Sequence, residues 1–223
     1  MHELFSDSNE ILEQLMKRCP VLLPQRDAIR EAYAILRDSF EAGGKLLLCG
    51  NGGSAADALH IAGELMKAFV LPRRPDKALM DMLNERFPAD AAFLTEKLER
   101  ALPAIPLVES AAVSTAIAND TAAQLVFAQQ VYGLGQPNDV LLGISTSGNS
   151  KNVVYAAEVA QALGMHVITL TGRGPNRLAA VSDCQIAVDE TETFRVQELH
   201  LPVYHALCLM LENHFFGEND GTI

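Results

Sequence analysis

The chain has 223 residues, 49% of them hydrophobic, which suits a single α/β domain with a sizeable core. Its net charge of −11 argues against nucleic-acid binding, because an acidic surface repels phosphate backbones. The amino-terminal segment is polar and acidic, unlike a signal peptide, and no apolar run approaches the ~20 residues of a membrane span. The four cysteines lie far apart and form no CxxC pair, which predicts buried free thiols. We therefore expect a soluble cytoplasmic protein.

Two amphipathic helices are predicted before the first strand, together covering residues 6–42. The first spans residues 6–18, where Ser6 or Ser8 can serve as the N-cap. The second spans Arg26–Ala42 and ends at a pair of glycines. These helices either cover the chain's own sheet or pack against another subunit, and the sequence leaves both alternatives open.

The stretch from Lys45 to Glu64 combines a strand, a glycine-rich turn and a helix. Leu46–Cys49 is an apolar run typical of a buried parallel strand. In Gly50–Ser54, the glycines allow backbone N–H groups to approach an anion, and Ser54 can cap the helix that follows. A helix N-terminus favours phosphate, but a ligand-free glycine turn is an equally good interpretation of this stretch alone.

His60 and Glu64 lie four residues apart in this helix, so they share one face. They are candidates for a metal site or an acid/base pair, while a solvated surface pair is the alternative. The helix is predicted to continue to about Phe69.

Residues 76–102 are charged and interrupt the alternation of strands and helices, so we interpret them as an insertion of two short helices split by Pro88. Beyond them the pattern predicts a strand over Pro103–Val108, a helix over Ser110–Ala118, a turn at Asn119-Asp120 and a helix over Ala122–Leu134.

A second buried strand, Asp139–Ile144, runs into the polar loop Ser145–Ser150, and a helix from Lys151 to about Leu163 follows. Five of the six loop residues carry a hydroxyl or an amide. Hydroxyls at a helix N-terminus suit the acceptor oxygens of a phosphate monoester, although an ordinary capped turn needs only one serine.

Two more strands, His166–Leu170 and Cys184–Val188, precede a long helix from Thr191 to about Phe216. Alternating strands and helices predict a parallel sheet covered on both faces. Ligands of such sheets bind beyond the carboxyl ends of the strands, so loops 50–54 and 145–150 can converge on one ligand.

Several motifs occur together in one order: GNGGS, Asp57, HxxxE, GISTSGNS and VQELHxxxxH. This combination resembles the bacterial phosphoheptose isomerases, members of the sugar isomerase (SIS) fold. The resemblance covers the chain except residues 76–102. It implies a single SIS domain over residues 1–223, a flavodoxin-like three-layer α/β/α sandwich with a central parallel sheet. It also implies a homotetramer, or a homodimer, that converts sedoheptulose 7-phosphate to D-glycero-D-manno-heptose 7-phosphate.

The resemblance assigns substrate contacts to residues that match the family's motifs. Those that would hold the sugar phosphate are Ser145, Thr146, Ser147 and Ser150. Those that would hold the sugar or touch its hydroxyls are Asn51, Gly53, Ser54, Asp120 and Gln197.

The resemblance also assigns Glu64 and His205 as the acid/base pair, and His60, Glu64, Gln197 and His205 as zinc ligands. Aldose–ketose interconversion through an enediolate needs a base at carbon and an acid at oxygen, which a carboxylate and an imidazole can provide. A zinc-bound carboxylate is a weaker base, so Glu64 cannot be a ligand and a free base in the same state. For His200 we favour a packing or interface role.

Two differences from the family leave the exact sugar open: Ala68 stands where we expect an arginine, and Phe194 where some members carry an aspartate. The insertion is expected near the mouth of the pocket, where it would alter substrate choice. Alternatives to the proposed activity are an isomerase of another phosphosugar, a phosphosugar-sensing domain and a non-catalytic scaffold like the related DnaA-associating replication factor. That branch lacks the acidic residue of HxxxE and the last histidine, whereas this chain has Glu64 and His205.

Overall fold

Five short runs of mostly apolar residues form one parallel sheet in the part of the chain that the computed structural model describes, residues 7–217. The strands are β1 (Leu46–Gly50), β2 (Ala104–Pro106), β3 (Val140–Ile144), β4 (His166–Gly172) and β5 (Cys184–Val188). Their order across the sheet is β2-β1-β3-β4-β5. This is the flavodoxin-like α/β architecture, as expected from the sequence.

The ends of β1 and β3 lie side by side. Gly50, the last residue of β1, is paired with Ile144, the last residue of β3. From these neighbours the chain continues to opposite edges of the sheet, since β1 leads to β2 and β3 leads to β4. The carboxyl ends of β1 and β3 therefore form the switch point at which ligands of open α/β sheets bind.

Helices cover both faces of the sheet. They are α1 (Ser8–Arg18), α2 (Arg26–Glu41), α3 (Gly53–Met66), α4 (Lys77–Arg86), α5 (Ala91–Lys97), α6 (Ala111–Ile117), α7 (Val126–Leu134), α8 (Lys151–Ala162) and α9 (Thr193–Phe216). Leu46 and Leu48 point into a core shared with α1, α2, α3 and α9, whereas Leu47 and Cys49 point into a core shared with α7 and α8. This alternation is the period of a strand that is buried on both faces.

The two amino-terminal helices pack on the chain's own core, the first of the two alternatives. Ile11 and Leu12 of α1, and Ile29 and Leu36 of α2, are at most 3% exposed. The cap of α1 is Asp7 rather than a serine, since its side chain accepts a hydrogen bond from the N–H of Glu10 at 2.9 Å. The alternative cap, Ser6, lies outside the described residues.

Several predicted boundaries were wrong. Helix α3 ends at Met66 instead of Phe69, because the backbone is extended at Lys67. Strand β2 is shorter than 103–108, since it includes Pro106, which has no N–H to donate to a neighbouring strand. Residues 118–122 form a π-helical turn that continues α6, not the predicted turn at positions 119 and 120.

Residues 76–102 contain the two short helices that were predicted, α4 and α5, on either side of Pro88. Helix α4 buries none of its side chains, and α5 buries only Ala91. Both helices therefore lie on the surface. The large apolar side chains that they and their flanks expose include Leu79, Met82, Phe87 and Phe93.

The cysteines are free thiols, and three of them, Cys49, Cys184 and Cys208, are buried. Within residues 7–217, none of the helices combines the length and apolar character that a membrane crossing requires.

Candidate active site

The loop after β1 turns on a glycine in the left-handed region. Gly52 has φ +55° and precedes the first residue of α3. Ser54 is not the cap of this helix, as the sequence suggested, because it lies inside the first turn and is 3% exposed. Its N–H donates to the carbonyl of Asn51 at 3.0 Å. The polar side chain that the loop exposes to solvent is that of Asn51.

The loop after β3 is held by its own hydroxyls. The buried Ser145 donates through Oγ to Ser150 Oγ at 3.0 Å, and Ser147 Oγ accepts from the N–H of Asn149 at 3.2 Å. Ser150 is the N-cap residue of α8, yet its side chain makes no capping hydrogen bond. Thr146 anchors the loop to β4, since its carbonyl accepts from the N–H of Gly172 at 2.9 Å. The hydroxyls of this loop therefore lie at the N-terminus of α8, where an anion is favoured.

The two loops are joined by a pair of amides. Asn51 Nδ2 donates to Asn152 Oδ1 at 3.0 Å, and Asn152 Nδ2 donates to Asn51 Oδ1 at 2.8 Å. This reciprocal pair brings the first loop against the first turn of α8. The polar loops at the ends of β1 and β3 therefore line one site.

Helix α9 approaches the same site through Gln197. A Cβ added to Gly53 would lie 2.5 Å from Gln197 Nε2, closer than side chains tolerate. The absence of a side chain at Gly53 is therefore what allows the amide of Gln197 to reach the start of α3.

Two to three turns further along α3, a carboxylate and two imidazoles meet. His60 Nε2 is 3.1 Å from Glu64 Oε1 and 3.4 Å from His205 Nε2. The rings of His60 and His205 are nearly perpendicular, with centroids 4.9 Å apart. Glu64 is the more enclosed partner, since its side chain is 15% exposed against 42% for His60. Glu64 and His205, assigned to proton transfer, therefore both contact Nε2 of His60.

The surroundings favour the neutral form of His205. Burial lowers the pKa of its imidazole below the ordinary value, and the nearby His60 and Arg18 lower this pKa further, while Glu64 opposes the shift. A neutral imidazole has one N–H donor and one acceptor nitrogen, which suits a group that gives a proton to one sugar oxygen and takes a proton from the other.

His200 is separate from this cluster. It is fully buried, and its Nε2 donates to the carbonyl of Thr171 at 3.2 Å. Burial lowers the pKa of His200 to about 4, so it is a neutral core residue, consistent with the expected packing role.

Two residues that extend the cluster, Tyr204 and Asp57, were not assigned a role from the sequence. The Tyr204 hydroxyl is 3.1 Å from His60 Nδ1 and donates to Asp57 Oδ1 at 3.2 Å. Asp57 precedes His60 by three residues and Glu64 by seven, so helical spacing does place the three on one face. The partner from α9 is 147 residues away from Asp57 and leaves no local signal.

Asp120 is not connected to these groups by the hydrogen bonds of the described residues. It is exposed in the π-helical turn, and its Oδ1 accepts from the side chain of Asn119 at 2.7 Å. The sugar contact that the resemblance assigns to Asp120 stays a prediction.

The donor atoms of the cluster suit zinc in type, but no group of three or more His, Cys, Asp or Glu within residues 7–217 is arranged as a metal site. The two separations measured from His60 Nε2, 3.1 and 3.4 Å, are near the ~3.3 Å between two ligands of a tetrahedral zinc ion. The two pairs, His60 with Glu64 and His60 with His205, therefore have the separation of zinc ligands. The described residues do not, however, form a complete set of zinc ligands.

A parallel sheet of this order, with a hydroxyl-rich loop at its switch point, is the fold of an SIS domain, and the SIS domain family model matches residues 5–100 and 81–172. The phosphoheptose isomerase of Helicobacter pylori (strain P12) is 39% identical over 194 residues, which cover 87% of this chain and 88% of that protein. The structure of a phosphoheptose isomerase from Neisseria gonorrhoeae is 33% identical, with a TM-score of 0.68, and the match covers 92% of this chain and 93% of that one. A phosphoheptose isomerase from Francisella tularensis is 30% identical, with a TM-score of 0.70, over 92% and 96% of the two chains. The chain belongs to the phosphoheptose isomerase family of SIS-domain proteins.

Proposed function

We propose that the chain isomerises sedoheptulose 7-phosphate to D-glycero-D-manno-heptose 7-phosphate. The single observation that carries this proposal is the meeting of Glu64 and His205 around His60, on the helix that begins at the first polar loop. Membership of the phosphoheptose isomerase family supports the choice of sugar.

The proposed reaction moves two hydrogens and needs no external oxidant. Glu64 removes a proton from C1 of the ketose while His205 delivers a proton to the oxygen on C2, which gives an enediol intermediate. A proton then returns to C2 and the proton on the C1 oxygen leaves, which forms the aldehyde. Each residue ends in its starting protonation state, so the two act as a reversible pair.

The hydroxyl-rich loop would hold the other end of the substrate. Ser145, Ser147 and Ser150 place their hydroxyls at the N-terminus of α8, where hydrogen-bond donors and the helix dipole both favour a phosphate dianion. A fixed phosphate orients the remote sugar carbons toward Glu64, and such orientation accounts for a large part of the rate of many enzymes.

We extend the proposal to zinc. His60, Glu64, Gln197 and His205 would hold the ion, with Glu64 released from it in the state in which it acts as the base, and a bound zinc would polarise a sugar carbonyl. Elemental analysis of the purified protein, compared with the His60→Gln variant, tests this directly. About one zinc per chain that is lost in the variant supports the proposal, whereas a metal-free active enzyme contradicts it.

The test of the activity is an isomerisation assay with sedoheptulose 7-phosphate on the wild type, on Glu64→Gln and on Glu85→Gln. Glu85 is an exposed residue of α4 and serves as a matched control for the loss of one carboxylate. We expect turnover in the wild type and the control, and a loss of about 10²-fold or more in Glu64→Gln.

Other outcomes separate the alternatives. Stabilisation of the protein by this sugar without turnover would indicate an isomerase of a different phosphosugar. Neither turnover nor stabilisation by any phosphosugar would favour the scaffold function.

We further propose that the chain assembles as a homotetramer. Large apolar side chains are exposed beside the catalytic cluster, on α3 (Leu59, 44%; Met66, 49%) and on α9 (Phe194, 57%; Leu201, 40%). Such side chains near one another suit burial against another subunit. Sedimentation equilibrium tests the assembly, and a mass equal to the single-chain value of 24.1 kDa would contradict it.

A further inference from the structure

The hydroxyl-rich loop after β3 is held by a neighbouring segment that was not part of the predicted site. This segment, residues 173–177, follows β4 and forms a third loop at the same edge of the sheet. The N–H of Leu178, directly after the third loop, donates to the carbonyl of Gly148 at 3.1 Å, and the N–H of Arg177 donates to Asn149 Oδ1 at 3.0 Å. The third loop therefore fixes two neighbouring residues of the hydroxyl-rich loop.

The hydroxyl-rich loop turns at Gly148. This residue is buried, and its φ of +63° lies in the left-handed region. A Cβ added to Gly148 would lie 2.4 Å from Cγ of Asn176 and 2.5 Å from its Oδ1, closer than side chains tolerate. The side chain of Asn176 thus occupies the space that a side chain at Gly148 would need, and it packs directly against the turn.

The amide of Asn176 is fixed at both of its ends. Its Nδ2 donates to the carbonyl of Gly174 at 3.0 Å. Its Oδ1 accepts from the N–H of Ala179 at 3.0 Å and from Nε2 of Gln185, a residue of β5, at 3.1 Å. Asn176 cannot move away from Gly148 without breaking these three hydrogen bonds, so it links the turn to the sheet.

The conformation of this turn determines which groups of the loop can face an anion. A carbonyl oxygen repels an anion, whereas hydroxyls and N–H groups at a helix N-terminus attract it. The loop carbonyls that accept hydrogen bonds from donors of the protein, at 2.9 to 3.1 Å, are those of Ser145, Thr146, Ser147 and Gly148. If the turn relaxed, the bond from Leu178 would be lost and the carbonyl of Gly148 would be free to face the anion.

We propose that Asn176 is a positioning residue for substrate binding, which packs against Gly148 and holds the hydroxyl-rich loop in the conformation that receives a phosphate group. Its effect on the substrate rests on the phosphate-binding role proposed for this loop above. Asn176 acts through Gly148, since the hydrogen bonds of its own amide are made within the protein.

Calorimetric titration with inorganic phosphate tests this role without any turnover. We expect the Kd of phosphate to rise about 10-fold in Asn176→Ala. The matched control is Asn138→Ala, which removes an exposed asparagine side chain before the start of β3 and leaves the Kd unchanged. A purely structural role would reduce the number of sites titrated, because less protein is folded, but the remaining sites would keep the wild-type Kd.

A double-variant cycle tests the contact between Asn176 and Gly148. Gly148→Ala weakens phosphate binding in two ways, because the new Cβ meets Asn176 and the left-handed turn is strained. In the background of Asn176→Gly only the strain remains; glycine is needed there because Cβ of Asn176 would itself lie 2.6 Å from the new Cβ. We expect the effect of Gly148→Ala on the Kd to be smaller by roughly threefold or more in that background.

In the isomerisation assay, Asn176→Ala is expected to change mainly KM, which rises about 10-fold, because the phosphate is held equally in the ground state and the transition state. A protein that shows the expected changes in Kd but does not turn over sedoheptulose 7-phosphate would support the role of Asn176 and contradict the proposed activity. The role of Asn176 is overturned if the wild type binds no phosphate, if Asn176→Ala has the wild-type Kd, or if Gly148→Ala has the same effect in both backgrounds.

Discussion

Arg73 and Glu212 form an ion pair in the interior, with Arg73 Nη2 and Glu212 Oε1 2.9 Å apart and side chains 0% and 1% exposed. The carboxylate also accepts hydrogen bonds from the three N–H groups of residues 69–71, at 2.8 to 3.1 Å. The guanidinium donates to the carbonyls of Glu64 and Leu65, at 2.9 and 2.6 Å. The pair thus lies where α3 ends, directly beyond Glu64, and ties this helix to α9.

Removing one member of this pair is expected to destabilise the fold strongly. Arg73→Met leaves a buried carboxylate without its counter-ion, and the expected loss is ~3–5 kcal/mol in the free energy of unfolding. Urea unfolding measures the change. The double variant Arg73→Met/Glu212→Leu should recover part of the loss, because no buried charge remains. A single variant within about 1 kcal/mol of the wild type would contradict this account.

The two glycines of α3 provide a matched pair of substitutions. Gly53→Ala pushes the amide of Gln197 away, since the added Cβ would meet its Nε2 at 2.5 Å, and we expect loss of both activity and stability. At Gly63 nothing lies within 4 Å of the added Cβ, so Gly63→Ala should stabilise the exposed helix by ~0.5–1 kcal/mol. Thermal unfolding compares the two. Equal effects of the two substitutions would show that helix propensity, not the Gln197 contact, decides the outcome.

The hydroxyl-rich loop is expected to act on substrate affinity. Ser147→Ala removes an exposed hydroxyl whose oxygen only accepts a hydrogen bond within the loop, so its proton is available to a phosphate dianion. The expected loss is ~1.5 kcal/mol or more, which corresponds to a rise in KM of about 10-fold. The inhibition constant of inorganic phosphate should rise by a similar factor. A substitution that affected only the sugar end of the substrate would leave this constant unchanged. Ser8→Ala, at the start of α1, is the control and should leave both values unchanged.

Stability is expected to fall in mild acid because of His200. Its pKa is about 4 in the folded protein and near the ordinary 6.5 in the unfolded chain, so the folded state binds fewer protons between these values. The free energy of unfolding therefore decreases as the pH falls from 6.5 toward 4, by at most ~3 kcal/mol, and levels off below. Denaturant titrations across this range should show a shallower decrease for His200→Gln than for the wild type. The same slope in both would contradict the assignment.

Much of the fold could be predicted because its strands are local patterns. The run at positions 184–188 has the predicted bounds, and the apolar runs at 46–49 and 139–144 differ from the observed strands by one residue. Because polar loops follow two neighbouring strands, we expected the two loops to lie close together. The hydrogen bonds between Asn51 and Asn152 confirm this. The hydrophobic pattern of each strand predicts the strand, and the rule that ligands bind beyond the carboxyl ends of parallel strands predicts where the loops meet.

The remaining features depend on contacts between distant parts of the chain. The hydrogen bond from Tyr204 to Asp57 spans 147 positions, and the one from Arg73 to Glu212 spans 139. Neither pair has a characteristic spacing in the sequence, and Arg73 is buried although arginine is usually a surface residue. The end of α3 was misplaced for the same reason, since the pattern does not contain the guanidinium that bonds the carbonyl of Leu65.

The buried thiol of Cys49 provides a chemical reporter for the opening of β1. Burial raises its pKa to about 12, and only the thiolate reacts with alkylating reagents, so Cys49 can react only when the sheet around it opens. Cys49 is followed directly by Gly50, where the first loop begins. A ligand that bridges the two loops would slow this opening, and the rate of alkylation would report its binding without a dye, a tag or turnover.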